Sequence, residues 1–232
     1  YRELEARANR IAQLLVDDLG VVPGNRVLLR GPNSPMMAAC WFAIMKAGAI
    51  AVATMPLLRA KELTDIVTKA EASHALCDSR LAEELDLARP ACPTLERIAL
   101  FETDAADGVE ARSAERPSTF ADVATLATDT ALIAFTSGTT GKPKGVMAKP
   151  RNVTAFVDVM VERYQITEHD RLSQTFDLTF DLSAFDMFVA WERGACLCCP
   201  TQKQKMLPGK YIRDARLTIW FSVPSTAILM GR

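Results

Sequence analysis

Over the first 101 residues, short apolar runs of strand character alternate with longer segments carrying an apolar stripe at helical spacing. This alternation constrains the fold more than any other feature, because a helical crossover returns the chain so that successive strands run parallel. Leu4, Ala8, Ile11, Ala12, Leu15 and Leu19 mark a first helix over residues 1–19. Gly20 stops it, and Pro23, Gly24 and Asn25 turn the chain. Strands are expected at residues 26–29, 49–55, 74–77 and 98–101. Helices are expected at 36–47, capped by Asn33 or Ser34 with Pro35 at its first position, and at 61–70, with Leu63, Ile66 and Val67 on one face. The fold class is α/β, with a mainly parallel sheet covered on both faces.

The second half is less regular. Residues 103–116 read as a polar surface loop and 120–126 as a short helix. Residues 152–164 form a helix capped by Asn152, burying Val153, Phe156, Val157, Met160 and Val161. Residues 171–176, 195–199 and 217–222 read as strands and 183–192 as a helix. With 232 residues, 49% hydrophobic and 24% charged, the chain suits one large domain or two small ones. Residues 36–58 are apolar and long enough to span a bilayer, but Lys46 near the middle costs about 2.5–3.5 kcal/mol there, so a buried helix, a turn at Gly48 and a strand are expected instead. A net charge of −1 gives no general attraction to nucleic acid or to an anionic membrane, so an anion site has to be local. Without a basic segment leading into an apolar one at the start, and with six cysteines in a chain this long, the reading is a cytoplasmic protein with reduced thiols.

That local anion site is expected at residues 136–145, TSGTTGKPKG. Glycines let backbone N–H groups converge, hydroxyls add donors and lysines add positive charge, which together suit a polyphosphate. Only Thr139 and Thr140 separate Gly138 from Gly141, and Pro143 follows Lys142, so this is not the Walker loop that opens a helix. The apolar run at residues 131–135 precedes it and Val146, Met147 and Ala148 follow, so the loop joins strand to strand.

The complete TSGTTGKPKG motif resembles the phosphate loop of the adenylate-forming (AMP-binding) superfamily, which includes acyl- and aryl-CoA ligases and nonribosomal peptide synthetase adenylation domains. Tyr1-Arg2-Glu3-Leu4 resembles the family's opening motif, Met45-Lys46-Ala47-Gly48-Ala49 its second, and Phe221-Ser222-Val223-Pro224-Ser225 a later strand end. Phe180-Asp181-Leu182-Ser183 is similar to the motif of amino-acid-adenylating members, whereas Val52 to Leu58 departs from them toward aryl- and acyl-CoA ligases. The aromatic-Gly-x-Thr-Glu loop, the ribose-holding Asp and the catalytic lysine of the family's later part do not follow. Residues 1–232 are therefore expected to be one partial N-terminal AMP-binding domain without its C-terminal subdomain, weakly active at best and with no catalytic residue of its own.

The resemblance implies ATP with Mg2+ and a carboxylate as substrates, an acyl-adenylate and pyrophosphate as products, and a thiol acceptor on a phosphopantetheine carrier or CoA. Around the phosphates it implies Thr136, Ser137, Gly138, Thr139, Thr140, Gly141, Lys142 and Lys144, with Lys144 the main charge partner. For the substrate it implies Asp181 on an amino acid's α-ammonium, with Leu182 and Phe185 lining the side-chain pocket. Asp177 in the echoing FDLT competes for that role, Asp186 three residues after Ser183 favours Asp181, and a helix-capping Asp181 is the structural alternative. An amino-acid-adenylating enzyme leads. An aryl- or acyl-CoA ligase comes second, and a nucleotide-binding remnant without turnover third.

Cys196, Cys198 and Cys199 lack the distant second pair of a structural zinc site and read as thiols buried in a strand ended by Pro200. No metal site is expected. His74 and His169 match no triad or ligand spacing, and Lys203, Lys205 and Lys210 read as a solvated cluster near a loop without the aromatic partners nucleic acid would need.

Overall fold

The four expected strands of the first half form as β1 (Arg26–Arg30), β2 (Ile50–Thr54), β3 (His74–Asp78) and β4 (Arg97–Phe101), all parallel. With β5 (Leu132–Thr136) and β6 (Lys144–Ala148) they build a six-stranded sheet in the order β4-β3-β1-β2-β5-β6. Only β6 runs antiparallel to its neighbour. The computed structural model describes residues 1–136, 144–178, 180 and 182–230, and these divide into two compact units, Tyr1–Pro150 and Arg151–Arg232.

In the first unit the helices are α1 (Arg2–Gln13), continuing as a wider π-type turn to Asp18, α2 (Pro35–Lys46), α3 (Ala60–Ala70) and α4 (Ala82–Ala88). From β1 the chain steps one way to β2 and then back across β1 to β3. Right-handed crossovers therefore place α2 and α3 on opposite faces of the sheet. On one face Leu28, Val52, Ala75 and Cys77 pack with Ile66, Val67 and Ala70 of α3 and Leu85 of α4. The alternate residues Val27, Leu29, Ala51, Ala53 and Leu76 are equally buried on the other face, which α2 covers. The apolar stretch long enough to span a bilayer is thus α2, a turn and β2, and no described helix is long and apolar enough to cross a membrane.

Of the two possible caps for α2, Ser34 is the one used: its Oγ accepts from the Met37 N–H at 3.0 Å. Ser34→Ala is expected to cost about 1 kcal/mol of stability. An unchanged urea midpoint at unchanged slope would remove that role. Gly48 turns the chain at φ +70°, and a Cβ there would sit 2.7 Å from Val123 Cγ1.

That contact belongs to a segment where the helix expected from sequence does not form. Residues 120–126 stay irregular because their polar groups serve other elements. The Val123 N–H donates to the Lys46 carbonyl, Asp122 pairs with Lys46 Nζ at 2.9 Å, and Asn9 and Gln13 of α1 donate to the carbonyls of Ser118, Pro117 and Thr119. Inside the expected loop at 103–116 lies a short helix, α5 (Val109–Ser113), anchored by fully buried Val109, one apolar residue being too few to make a stripe. Seven-residue α4 escapes a reading by periodicity for the same reason, since only Leu85 and Ala88 are buried on it.

In the second unit, α6 (Pro150–Tyr164) begins at Pro150, so Asn152 lies within its first turn rather than capping it. Val157 and Val161 are buried as expected, Val153 and Met160 pack partly against the core, and Phe156 stays 37% exposed. Two short parallel strands, β7 (Arg171–Ser173) and β8 (Cys196–Cys198), flank the helical stretch α7 (Leu182–Ala184), a π-type turn (Phe185–Val189) and α8 (Ala190–Glu192). Residues 217–222 do not form the expected strand and make a single bridge, Leu172↔Ile219. Side chains replace the ladder there: Ser173 Oγ accepts from the Phe221 N–H and Thr175 Oγ1 donates to the Phe221 carbonyl. Three further helices, α9 (Gln202–Met206), α10 (Pro208–Asp214) and α11 (Pro224–Met230), carry local signals, a Thr201–Gln204 capping box and prolines at the first position. Lys203 and Lys205 therefore sit on α9 and Lys210 on α10, where it pairs with Asp214 at 2.6 Å.

Candidate functional site

Thr136 closes β5 and Lys144 opens β6, and the two are register partners in the antiparallel pair. The glycine- and threonine-rich segment thus leaves and re-enters the sheet at adjacent points, a strand-to-strand connection as expected. Ser137, Gly138, Thr139, Thr140, Gly141 and Lys142 lie outside the described residues. Lys144 is exposed. Gly145 beside it is closely approached, since a Cβ there would meet Ile133 Cγ2 at 3.1 Å and the Phe135 ring at 3.3 Å.

The second cluster lies within the second unit. Asp181 falls outside the described residues. The Phe180 N–H donates to the Asp177 carbonyl, and the N–H and Oγ of buried Ser183 both donate to the Phe180 carbonyl. Leu182, exposed at 38%, and buried Phe185 line one cavity of about 400 Å³ together with Val153, Phe156, Met160 and Phe221. Phe185 packs at 4.7 Å between ring centroids against Phe221, the rings tilted by 53°, and meets Tyr164 edge-on at 5.6 Å. Among the described residues the lining carries no charged side chain, and the volume is that of a small-molecule site.

The three acids of this region differ in environment. Asp177 lies 3.8 Å from Lys205 Nζ in a partly exposed ion pair. Asp186, in the sequence only a marker for the motif, is fully buried. Its Oδ2 accepts from the N–H groups of Thr175 at 3.0 Å and Phe176 at 3.4 Å, while among the described residues Oδ1 has no partner. Burial pushes its carboxyl up to about 7, against the opposing pull of those two N–H groups. Asp186 thus holds the backbone where the chain enters the FDLT–FDLS segment. An acid inside an otherwise apolar helix, at residues 184–190, was the signal for this role.

The remaining polar candidates are structural. Buried His74 bonds the Leu19 carbonyl through Nε2 and the Ser73 hydroxyl through Nδ1, whereas His169 is exposed beside Glu168. Among the described residues, no group of three or more His, Cys, Asp or Glu is placed to hold a metal ion. The buried-strand reading of the thiols fails for Cys196 and Cys199, which are exposed.

The family of AMP-binding enzymes matches this chain over residues 1–230. The chain belongs to this family. Curated relatives include an L-proline–[L-prolyl-carrier protein] ligase of Pseudomonas fluorescens, 34% identical over 99% of this chain and 46% of its own length. Surfactin synthase subunit 2 of Bacillus subtilis is 31% identical over 97% of this chain and 6% of that protein. Solved structures include the inhibitor-bound N-terminal domain of FACL13 from Mycobacterium tuberculosis, with a TM-score of 0.88 at 25% identity over 99% of this chain and 57% of that one. ATP-bound MatB from Rhodopseudomonas palustris gives a TM-score of 0.84 at 25% identity, over 97% and 44%. The chain spans about half the length of the first of these relatives or less. Its kin are AMP-forming ligases, both acyl-CoA synthetases and nonribosomal peptide synthetases.

Proposed function

We propose that this chain supplies the phosphate grip and part of the acid pocket of an enzyme that activates an amino acid with an uncharged side chain. The reaction joins the substrate carboxylate to the α-phosphate of ATP, and pyrophosphate leaves. The observation that carries the reading is the apolar cavity reached by Leu182 and Phe185, adjoining Asp181 in the chain. A carboxylate next to an uncharged cavity suits an α-ammonium outside and an apolar side chain within. The carrier-protein ligase that acts on L-proline, 34% identical, supports the same class of acid.

In this reading Thr136, Ser137, Gly138, Thr139, Thr140 and Gly141 offer donors to the β- and γ-phosphates, where charge accumulates as pyrophosphate departs. Lys144 and Lys142 add positive charge. Mg2+ enters with the nucleotide, held mainly by substrate phosphates as is usual for this ion. The adenylate then passes to a thiol, on a carrier arm or CoA.

Amino-acid-dependent exchange between ATP and pyrophosphate, assayed with the complete gene product, tests the proposal. Asp181→Ala is expected to raise the amino-acid KM at least ten-fold, the loss of one charge-assisted contact of about 1.5–3 kcal/mol, with the ATP KM unchanged. Exchange driven by benzoate-like acids and by no amino acid would replace this reading with that of an aryl-CoA ligase.

A further inference from the structure

The three thiols near the end of the chain have no part in the proposed reaction. Two of them are paired. Cys196 and Cys198 stand two residues apart on β8, so their side chains project from the same face of the strand. Their sulfurs are 3.9 Å apart. Cys196 is exposed and Cys198 half-buried, and Cys199 lies one residue past the end of the strand. The other three cysteines, Cys40, Cys77 and Cys92, are buried in the first unit, away from a reagent in solvent.

We propose that Cys196 and Cys198 are a redox-active dithiol, closed to an intrastrand disulfide by exchange with a low-molecular-weight disulfide such as oxidised glutathione. The exposed Cys196 thiolate attacks one sulfur of the reagent. That S–S bond breaks, one glutathione thiolate leaves, and Cys196 carries a mixed disulfide. Cys198 then gives its proton to solvent and attacks the Cys196 sulfur, expelling the second glutathione. Two protein thiols are oxidised to one disulfide and one reagent disulfide is reduced to two thiols, so electrons and protons balance.

Two features make this bond reversible. Residues i and i+2 of a strand lie about 6.6 Å apart at Cα, near the upper limit that a disulfide spans, so β8 has to pucker to close it. Puckering also works against the Cys198 carbonyl, which accepts from both the Gln174 N–H and the Tyr211 hydroxyl. A bond closed against such restraints is readily reduced.

The test is to incubate the folded protein with oxidised glutathione, alkylate the remaining thiols and map the 194–203 peptide by mass spectrometry. The wild type and Cys199→Ser are expected to lose two hydrogens, retain no glutathione, and regain both thiols in reduced glutathione. Cys198→Ser is expected to stop at a stable glutathione adduct on Cys196. Circular dichroism of each variant confirms the fold. Closure in Cys196→Ser or Cys198→Ser, which would pair through Cys199, overturns the proposal. So does a wild type that keeps glutathione on Cys196 without closing, or a disulfide that reduced glutathione does not open.

Discussion

Arg30→Met is expected to destabilise the first unit by about 3–5 kcal/mol, a large effect for one side chain. Arg30 ends β1 with 1% of its surface exposed, yet among the described residues no carboxylate bonds it. Its guanidinium donates instead to the carbonyls of Met55 at 2.8 Å, Pro56 at 3.0 Å and Leu58 at 2.8 Å, with a longer contact to Leu81 at 3.4 Å. Burial lowers its pKa, but an arginine keeps its proton even so. Met fills a similar volume and bonds none of these carbonyls. Each buried acceptor left unpaired costs about 1–3 kcal/mol, and the turn after β2 loses what holds it. Arg30→Lys is expected to recover less than half of the loss, because one ammonium does not reproduce a planar fork spread over four acceptors. Urea unfolding measures both. A loss below about 1 kcal/mol for Arg30→Met would mean that water replaces the guanidinium without penalty.

The second large effect concerns Asp186 and depends on pH. Its folded-state value of about 7 lies above the ordinary carboxylate value of 3.8, so the folded state holds its proton more tightly than the unfolded chain does. The stability this contributes is complete below about pH 4 and is lost as pH rises through about 7. Three units correspond to a swing on the order of 4 kcal/mol, an upper figure for a group this buried. Asp186→Asn keeps an oxygen to accept from the Thr175 and Phe176 N–H groups and carries no charge at any pH. The variant is therefore expected to match the wild type near pH 4 and to exceed it in stability near pH 8. Taking the difference between the two pH profiles cancels the other titrating groups. A difference that stays flat, or that has the opposite sign, would show that the carboxylate is ionised without strain in the folded protein. Asp186→Ala, which also abandons the two N–H groups, is expected to destabilise at every pH.

Periodic segments long enough to bury a face were legible in the sequence. α1, α3 and α6 each carry a stripe, α2 is apolar almost throughout, and β1 to β4 are short apolar runs bounded by turns, so the parallel sheet followed from residues alone. Segments in which one or two residues carry the burial were not legible, as α4 and α5 show. Of the candidate site, the strand-to-strand connection was legible, although Thr136 and Lys144, read as loop residues, end β5 and open β6, and Leu182 and Phe185 meet in one cavity. Asp186 was visible only as a letter in a motif. A single carboxylate has no periodicity to betray its burial or the partners it finds.

Residue order alone was enough for the α/β class, the hairpin that frames TSGTTGKPKG and the family to which the chain belongs. Each rests on residues near one another in the chain, where spacing is enough to reveal a face or a turn. Long-range packing settled the rest: residues 120–126 forgo a helix, Asp177 lies beside Lys205, Asp186 is buried with one oxygen unpartnered among the described residues, and Cys196 faces solvent. In every such case the outcome depends on which distant group takes a polar atom or covers a side chain. Local periodicity records that a face is buried, but not by what.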